Sequence, residues 1–458
     1  MATVNLLAES RNLPAQLTMA DQPAHRGGEG SVYFTSDGRY VVKIYHSAPP
    51  DKRAMLQKII DLGKNLGDDE QFLAWPLGIV ERVNGKPGIG VVTRRAPATH
   101  QPLYKFMLSL EDAVEQFRQG RSWLEYLKMA RGIAAAVRAV HGKGMAHGDV
   151  HLKNFLANPA SGEVILIDLD GLIVKGFLHP QVMGMPGFIA PEVMMHKSQP
   201  DELTDRYSLA VLILWTLLLR NVMLTQRCYD DQDQRHDDEL GYGQYACFSE
   251  HPGDRRNWIP RIGMPLFRGG LLSYRALTPR LQTLTEQTLI QGLHEPQQRP
   301  QALEWERALA EAYDLLISCG VCRQSFFYQY WLQPPPRRTC PFCGASTRAL
   351  VSAELLEARA SGNFVTVRTI VLYQGLPLFS DIMEPGRVPP FTRRGTPIVA
   401  RTTWDAGVRA YSLQNMGATP WTIVAGGSGK VSQGSSVLLR RGLILSPGNG
   451  KRLLRIIE

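Results

Sequence analysis

The octapeptide His147-Gly148-Asp149-Val150-His151-Leu152-Lys153-Asn154 sets a carboxylate and a carboxamide five positions apart, with an imidazole two before the carboxylate. No other feature constrains the chain as much, because the spacing has meaning only if distant segments complete one site around it. An Asp and an Asn at this interval suit a loop that handles a phosphate and its cation. The remaining parts would be a backbone cradle, a lysine and a second carboxylate.

The chain is 458 residues long, too long for one small core and suited to roughly two to four domains. A net charge of +9 is mild for this length. It favours acidic ligands such as phosphates without pointing to nucleic acid, which is not expected as a partner. The longest apolar run, Leu209 to Leu219, has 11 residues and fits a buried helix rather than a bilayer span. No positive segment followed by an apolar stretch opens the sequence, so no secretion signal, no membrane role and a cytoplasmic location are expected.

Residues 1–95 read as strand-rich, with Ser36-Asp37-Gly38 as a hairpin turn between two β-branched and aromatic runs. The segment 51–65 reads as a helix whose Met55, Leu56, Ile59 and Ile60 share a face and whose stop is Gly63. Helices and short strands alternate over 109–220. Residues 220–275 read as irregular, with the acids Asp230, Asp231, Asp233, Asp237, Asp238 and Glu239 on a solvated loop. Helix resumes over 279–317. From about 350 onward, short β-rich runs punctuated by Gly, Pro and Asn predict an all-β domain.

Phosphoryl transfer from ATP needs few protein parts, and this chain offers each in order. Gly27, Gly28 and Gly30 precede Val32, so a hairpin backbone could approach phosphate oxygens while Val32 covers a base. Lys43 follows on the next strand. Asp149 and Asn154 come next, then Asp168 after an apolar run.

In this order the segments resemble the eukaryotic-type protein kinase fold in a bacterial-looking version, over roughly residues 20–315. His25-x-Gly27-x-x-Gly30-x-Val32 is similar to the Gly-rich pattern, with His25 for the first Gly. Lys43 matches the strand lysine. His147, Asp149 and Asn154 match the catalytic loop, with Gly148 in place of its Arg. Asp168 matches the metal-binding Asp, with Leu169-Asp170 for Phe-Gly, and Ala190-Pro191-Glu192 matches the APE motif. The resemblance implies that Asp149 orients or accepts the acceptor proton and that Lys153 adds a cation near the γ-phosphate. It implies that Lys43 holds the α/β-phosphates, and that Asn154 and Asp168 hold Mg²⁺ or Mn²⁺. His147, Asp205 and a Glu192–Arg299 pair are then scaffold. ATP is the implied cofactor and a protein the implied substrate.

Departures from the pattern are informative. The helix after Lys43 has no Glu, so Asp61, or the neutral Gln57, is the expected lysine partner. His151 stands where Ser/Thr kinases carry a lysine, and Lys153 stands where tyrosine kinases carry an Arg. The segment 171–189 contains no Ser, Thr or Tyr, and Gly148 removes the usual phosphate receptor. Control by activation-loop phosphorylation is therefore not expected. The expected activity is a protein kinase, Ser/Thr in preference. A nucleotide-binding pseudokinase or scaffold, or an aminoglycoside-type small-molecule kinase, remains the alternative.

Cys319-x2-Cys322 and Cys340-x2-Cys343 are separated by 17 residues, and all eleven histidines lie at or before His294. Two such knuckles predict a structural four-thiolate zinc ribbon. The β-rich C-terminus predicts a sandwich that weakly resembles a forkhead-associated domain, but it has no His for the usual phosphopeptide site. Arg440, Arg441, Lys451, Arg452 and Arg455 read as a solvated basic face. The expected architecture is therefore α+β: a bilobal kinase-like fold (1–95 and 96–318), a ribbon (319–348) and a β-sandwich (349–458). A kinase with an appended ribbon resembles those of tellurite-resistance-type operons. That implies a PP2C-type phosphatase and a von Willebrand A-domain protein as partners.

Overall fold

The computed structural model describes residues 1–7, 13–174, 177, 184–259, 272–331, 340, 342–346, 350–384, 396–448 and 450–457. Two compact units emerge. One holds Met1–Arg261, Leu272–Tyr274 and Gln282–Glu306; the other holds Arg275–Leu281 and Arg307–Glu458.

The first unit opens with a seven-stranded antiparallel sheet. Its strands are β1 (Ala2–Leu6), β2 (Gln16–Met19), β3 (His25–Arg26), β4 (Gly30–Phe34), β5 (Tyr40–Tyr45), β6 (Pro76–Val83) and β7 (Lys86–Arg94), in the order β2-β1-β6-β7-β5-β4-β3. Alternation gives the sheet two apolar faces. Val4, Val42, Val80 and Val92 pack on one. Tyr45, Ile79 and Val91 pack on the other, against Leu56 and Ile60 of helix α1 (Lys52–Leu62). The expected face of α1 is the buried one, with Lys52 added to it. Position 63, just past α1, must be glycine for a packing reason: a Cβ there would lie 2.0 Å from Nε1 of Trp75. That indole is fixed by its hydrogen bond to the Ile59 carbonyl at 2.9 Å.

The rest of this unit is mainly helical, with short strands β8 (Gln101–Pro102), β9 (Phe155–Ala157) and β10 (Val164–Leu166). Helix α2 (Leu110–Arg118) precedes α3 (Trp123–His141), and after the four-residue α4 (Pro191–Met194) comes α5 (Glu202–Leu218). Both long helices begin with reciprocal side-chain caps, Ser122 with Glu125 and Asp201 with Thr204. Both are apolar nearly all round, as interior helices are. The apolar run at 209–219 thus lies in a core. Among the described residues, no helix is long and apolar enough to cross a membrane.

The acidic stretch at 230–239 is more ordered than expected. Asp233 caps α6 (Gln234–Glu239) by accepting from the N–H groups of Arg235 and His236. Asp237 is buried and accepts from the backbone of Tyr229 and Asp230. Carboxylates that read as a solvated run are spent on local backbone donors. Helix α7 (Pro279–Glu286) and α8 (Ala302–Ala312) follow.

In the second unit, β11 (Leu316–Ser318) pairs with β12 (Ser325–Phe327), which places 316–318 in the cysteine hairpin rather than in the preceding helical stretch. Ten further strands, β13 (Val351–Ala358), β14 (Phe364–Leu372), β15 (Pro377–Phe379), β16 (Ile398–Asp405), β17 (Ala410–Asn415), β18 (Trp421–Ala425), β19 (Lys430–Val431), β20 (Ser436–Leu438), β21 (Ile444–Ser446) and β22 (Arg452–Ile456), form two antiparallel sheets. The orders are β14-β13-β22-β21-β18-β19 and β15-β16-β17-β20. One core joins them, including Leu355, Leu372, Leu413, Trp421 and Leu445. Among the described residues the C-terminal region is β throughout, apart from a short helical turn at Ser380–Met383.

The basic face expected there is not a face. Arg440, Arg441 and Lys451 are exposed. Arg452 is buried, donating to the Ile382 carbonyl and to Glu357. Arg455 pairs with Glu354, its Nε at 2.8 Å. Cross-strand carboxylates on β13 neutralise both arginines, which the sequence alone does not reveal.

Candidate active site

The octapeptide is held from behind by α5. The Asp205 carboxylate, 1% exposed, accepts the backbone N–H of His147 at 2.6 Å and of Gly148 at 2.8 Å. His141 meets the same carboxylate at 3.0 Å. Gly148 sits at φ +77°, where a Cβ would lie 2.8 Å from Cδ1 of Ile173. The loop needs a glycine here for local reasons.

Asp149 has two unlike oxygens. Its Oδ2 meets Nε2 of His151 at 3.1 Å and Nδ2 of Asn154 at 3.0 Å. Nδ1 of His151 accepts the N–H of Lys153 at 3.0 Å, so the proton of this imidazole belongs on Nε2, facing the carboxylate. Oδ1 is buried, has no hydrogen-bond partner among the described residues and lies against Gly184. A shallow pocket there is lined by Gly148, Asp149, Gly184, Met185, Phe188 and Pro200. Burial raises the Asp149 carboxyl, but the hydrogen bond from His151, with help from Asn154, outweighs it and holds the pKa below its ordinary value.

Across a cleft of about 950 Å³ stands Lys43. Register places Val32 and Val91 beside it on the neighbouring strands, and all three line the cleft. Lys153, Asn154 and Asp168 line it too, with Lys153 exposed. Gly27 and Gly28 form the exposed tip of the β3–β4 hairpin, closed by a Gly27 N–H to Gly30 carbonyl bond of 2.9 Å. Gly30 is buried, because a Cβ there would sit 2.5 Å from the Ile44 carbonyl oxygen.

The expected partner of Lys43 is corrected by the structure. Asp61 lies on the exposed side of α1, with Lys64 at 2.6 Å and Gln57 at 3.4 Å. Lys43 instead meets Asp168 at 2.8 Å, Asp170 at 2.9 Å and Glu29 at 3.3 Å. Asp170 is buried, takes the Tyr45 hydroxyl at 2.5 Å and gives its backbone carbonyl to Lys52 at 2.8 Å. Burial alone would depress the Lys43 ammonium, but Asp170 and Asp168 outweigh it and hold its pKa above the ordinary lysine value. The two aspartates move apart. Burial and its neighbour raise Asp168. Burial also works against Asp170, but Lys43 and Lys52 prevail and keep it ionised. Asp170 fills a place where the resembled pattern has glycine, so no motif marks it.

Asp168 carries φ +64°, ψ +34°, a left-handed backbone for a non-glycine residue. Such strain collects at functional sites. Asn154 spends its amide nitrogen on Asp149, leaving Oδ1 as the atom it could offer a cation. Glu192 and Arg299 form a bidentate pair at 2.6 and 2.8 Å. The segment 171–189 is described only at 171–174, 177 and 184–189, so its remainder lies outside the described residues.

In the second unit, the sulfurs of Cys319, Cys322, Cys340 and Cys343 lie within 4.8 Å of one another. Cys319 to Cys343 and Cys322 to Cys340 are each 3.6 Å. Tetrahedral Zn–S bonds of ~2.3 Å would set sulfurs ~3.8 Å apart, so the donor set fits a metal ion. The residues after each knuckle, Arg323 and Gly344, have φ +62° and +72° and turn the chain back. That Pro334-Pro335-Pro336 separates the pairs is a sequence fact; those residues lie outside the described ones.

Among known proteins, a dual serine/threonine and tyrosine protein kinase of Apis mellifera is 31% identical over 107 residues, 23% of this chain and 11% of that one. The CBL-interacting protein kinase 29 of Oryza sativa subsp. japonica is 31% identical over 84 residues, 18% of this chain and 19% of its own. A dual serine/threonine and tyrosine protein kinase of Pimephales promelas is 23% identical over 205 residues, 44% and 21% of the two chains. The chain thus spans about a tenth to a fifth of the length of these relatives. Residues 107–262 match the family model described as protein kinase domain. The matched segment is about a third of the chain, mixes helix and strand, and contains Asp149, Asn154 and Asp168.

Proposed function

We propose that the chain is an ATP-dependent protein kinase that transfers the γ-phosphate to a protein hydroxyl, Ser or Thr in preference. One observation carries the reading: Asp149 is clamped through Oδ2 while Oδ1 stands buried, without a partner among the described residues, beside an open groove. A carboxylate so placed can take or orient the proton of an incoming hydroxyl. The small volume of that groove, about 20 Å³, supports a short acceptor side chain. Lys43 would fix the α/β-phosphates, Val32 would cover the base, and the tip at Gly27 and Gly28 would close over the phosphates. Lys153 would face the transferred group. Asn154 and Asp168 would hold Mg²⁺ or Mn²⁺, whose charge offsets that of the phosphates. The names of the relatives support a protein acceptor.

Activity would not depend on activation-loop phosphorylation, since 171–189 has no hydroxyl side chain. The four cysteines would hold a structural zinc. The C-terminal sandwich would be forkhead-associated-like without a phosphothreonine site. A PP2C-type phosphatase and a von Willebrand A-domain protein are the partners we propose, in the cytoplasm.

The test uses labelled ATP with Mg²⁺ or Mn²⁺, the full chain and candidate proteins, with Asp149→Ala as control. Transfer to protein lost in the variant supports the reading. Nucleotide binding without any Asp149-dependent transfer would leave a pseudokinase, and transfer to a small molecule alone would leave that class of kinase.

A further inference from the structure

We infer that Asp170 is the positioning residue that holds Lys43 against the nucleotide, in the role for which helix α1 has no carboxylate. The inference rests on Lys43 being the phosphate-binding lysine.

The argument starts from α1. Its buried side carries Lys52, Met55, Leu56, Ile59 and Ile60, so the charge it sends toward the sheet is positive. Its one acid within the helix, Asp61, points outward to Lys64. A buried ammonium at Lys43 still requires a lasting counter-charge. Among the described residues three carboxylates reach it, and they are not equivalent. Glu29 is 65% exposed and 3.3 Å away, so water and salt screen it. Asp168 is 47% exposed and opens on the cleft, where a bound cation would claim its oxygens. Asp170 is 5% exposed, and its Oδ2 already takes Lys43 and the Tyr45 hydroxyl together. When Asp168 turns to a cation, Asp170 is the carboxylate left to Lys43.

Tyr45 and Lys52 complete the clamp. Tyr45 lies two residues past Lys43 on the same strand face, and its hydroxyl fixes the Asp170 carboxylate. Lys52 fixes the Asp170 backbone from α1 and stacks its ammonium 4.7 Å over the Tyr45 ring. The charges are exchanged relative to a lysine–helix carboxylate pair: the carboxylate sits two residues beyond Asp168, and the helix supplies a cation. Lys43 is then set by the segment that also carries Asp168, not by the helix.

A double-mutant cycle on nucleotide affinity tests this without relying on turnover. A fluorescent ATP analogue with Mg²⁺ is titrated into the full chain, Asp170→Asn, Lys43→Ala and the double variant. Asp170→Asn is expected to weaken binding about 10-fold, Lys43→Ala by at least as much, and the double variant no further than Lys43→Ala alone. A residue that only supports the fold would add its loss to that of Lys43→Ala. Affinity of Asp170→Asn within about 2-fold of wild type, or additive losses, would overturn the inference. Should Asp170→Asn fold poorly, Tyr45→Phe keeps the ring and removes only the hydroxyl. It is expected to weaken binding about 3-fold, again without effect once Lys43 is gone. Loss of Asp149-dependent transfer with the cycle intact would sink the kinase reading and leave this one standing.

Discussion

Arg299 and Glu192 meet as a planar fork, guanidinium to carboxylate, with Nη1 at 2.6 Å and Nη2 at 2.8 Å. The remaining donors of Arg299 go to the carbonyls of Gly292, Leu203 and Leu293. Its side chain is fully buried, so no water replaces a lost partner. Removing one member leaves the other charged and uncompensated, at about 3–5 kcal/mol. Arg299→Ala should therefore lower the unfolding midpoint in urea sharply. Below that midpoint nucleotide affinity should stay near wild type, because the pair lies outside the cleft walls. A stable variant that fails to bind nucleotide would contradict this division.

His151 stands where the family pattern has a lysine, and the structure gives it a different task. It donates to Oδ2 of Asp149 and accepts from the Lys153 backbone, so it fixes the carboxylate rather than reaching for a phosphate. His151→Ala should lower kcat by about 10- to 100-fold while the KM for ATP stays within about 2-fold, as expected for lost orientation. Steady-state kinetics with a fixed protein acceptor would decide it. A rise in KM with kcat unchanged would assign His151 to nucleotide binding instead.

Gly148 was legible as a departure, but its cause was not. The sequence suggests a missing phosphate receptor; the backbone adds a left-handed φ of +77° and a clash of any Cβ with Ile173. Gly148→Ala should cost about 1–2 kcal/mol from the backbone alone. Gly148→Arg should destabilise further without making activity phosphate-dependent. Thermal unfolding of the three proteins should rank them in that order.

The motifs were readable because each pairs an unusual residue type with a fixed interval. Asp149, Asn154, Lys43 and Asp168 line up from sequence because their motifs fix the intervals, although only Lys43 sits on a strand and Asp168 has a left-handed backbone. The Glu192–Arg299 pair was legible because a motif names both members; the pairings that no motif names were not. Asp61 sits at a plausible interval from Lys43, but helical rotation turns it to solvent. Asp170 lies 127 positions from its lysine, and no local period announces it. Arg452 and Arg455 looked like a basic patch because their acids sit about a hundred positions earlier, on β13. Apolar periodicity predicts faces; ion-pair partners depend on tertiary placement.

The misplaced Asp61 makes its own prediction. Asp61→Ala should leave ATP affinity within about 2-fold of wild type, since the side chain answers to Lys64 on an exposed turn worth less than about 1 kcal/mol. A titration of the same fluorescent nucleotide measures this. A 10-fold loss would restore Asp61 to the lysine.

The cysteine cluster should bind one zinc per chain, measured by elemental analysis after gel filtration. Cys322→Ser or Cys340→Ser should release it, and each should lower the melting point by more than chelator treatment changes that variant. Structural zinc sites contribute folding energy directly, about 10 kcal/mol or more in zinc-finger peptides at neutral pH. Wild-type protein that carries no zinc, and whose melting point ignores the chelator, would refute the site.

Glu311 offers a pH test in the second unit. Burial raises its carboxyl above the ordinary 4.5, Asp314 adds to the rise, and Arg368 opposes it. Arg280 and Arg307 also oppose it. A carboxyl raised in the folded state favours folding fully below its unfolded value near 4.5, and that contribution is lost as pH climbs through the folded value. At neutral pH the ionised group is therefore a burden. Glu311→Gln should melt higher than wild type at pH 7.5, by ~1–3 °C for a change of under about 1 kcal/mol. The gap should narrow as pH falls toward 4.5. A variant that melts lower at pH 7.5 would mean that the Arg368 attraction outweighs burial and that the sign is reversed.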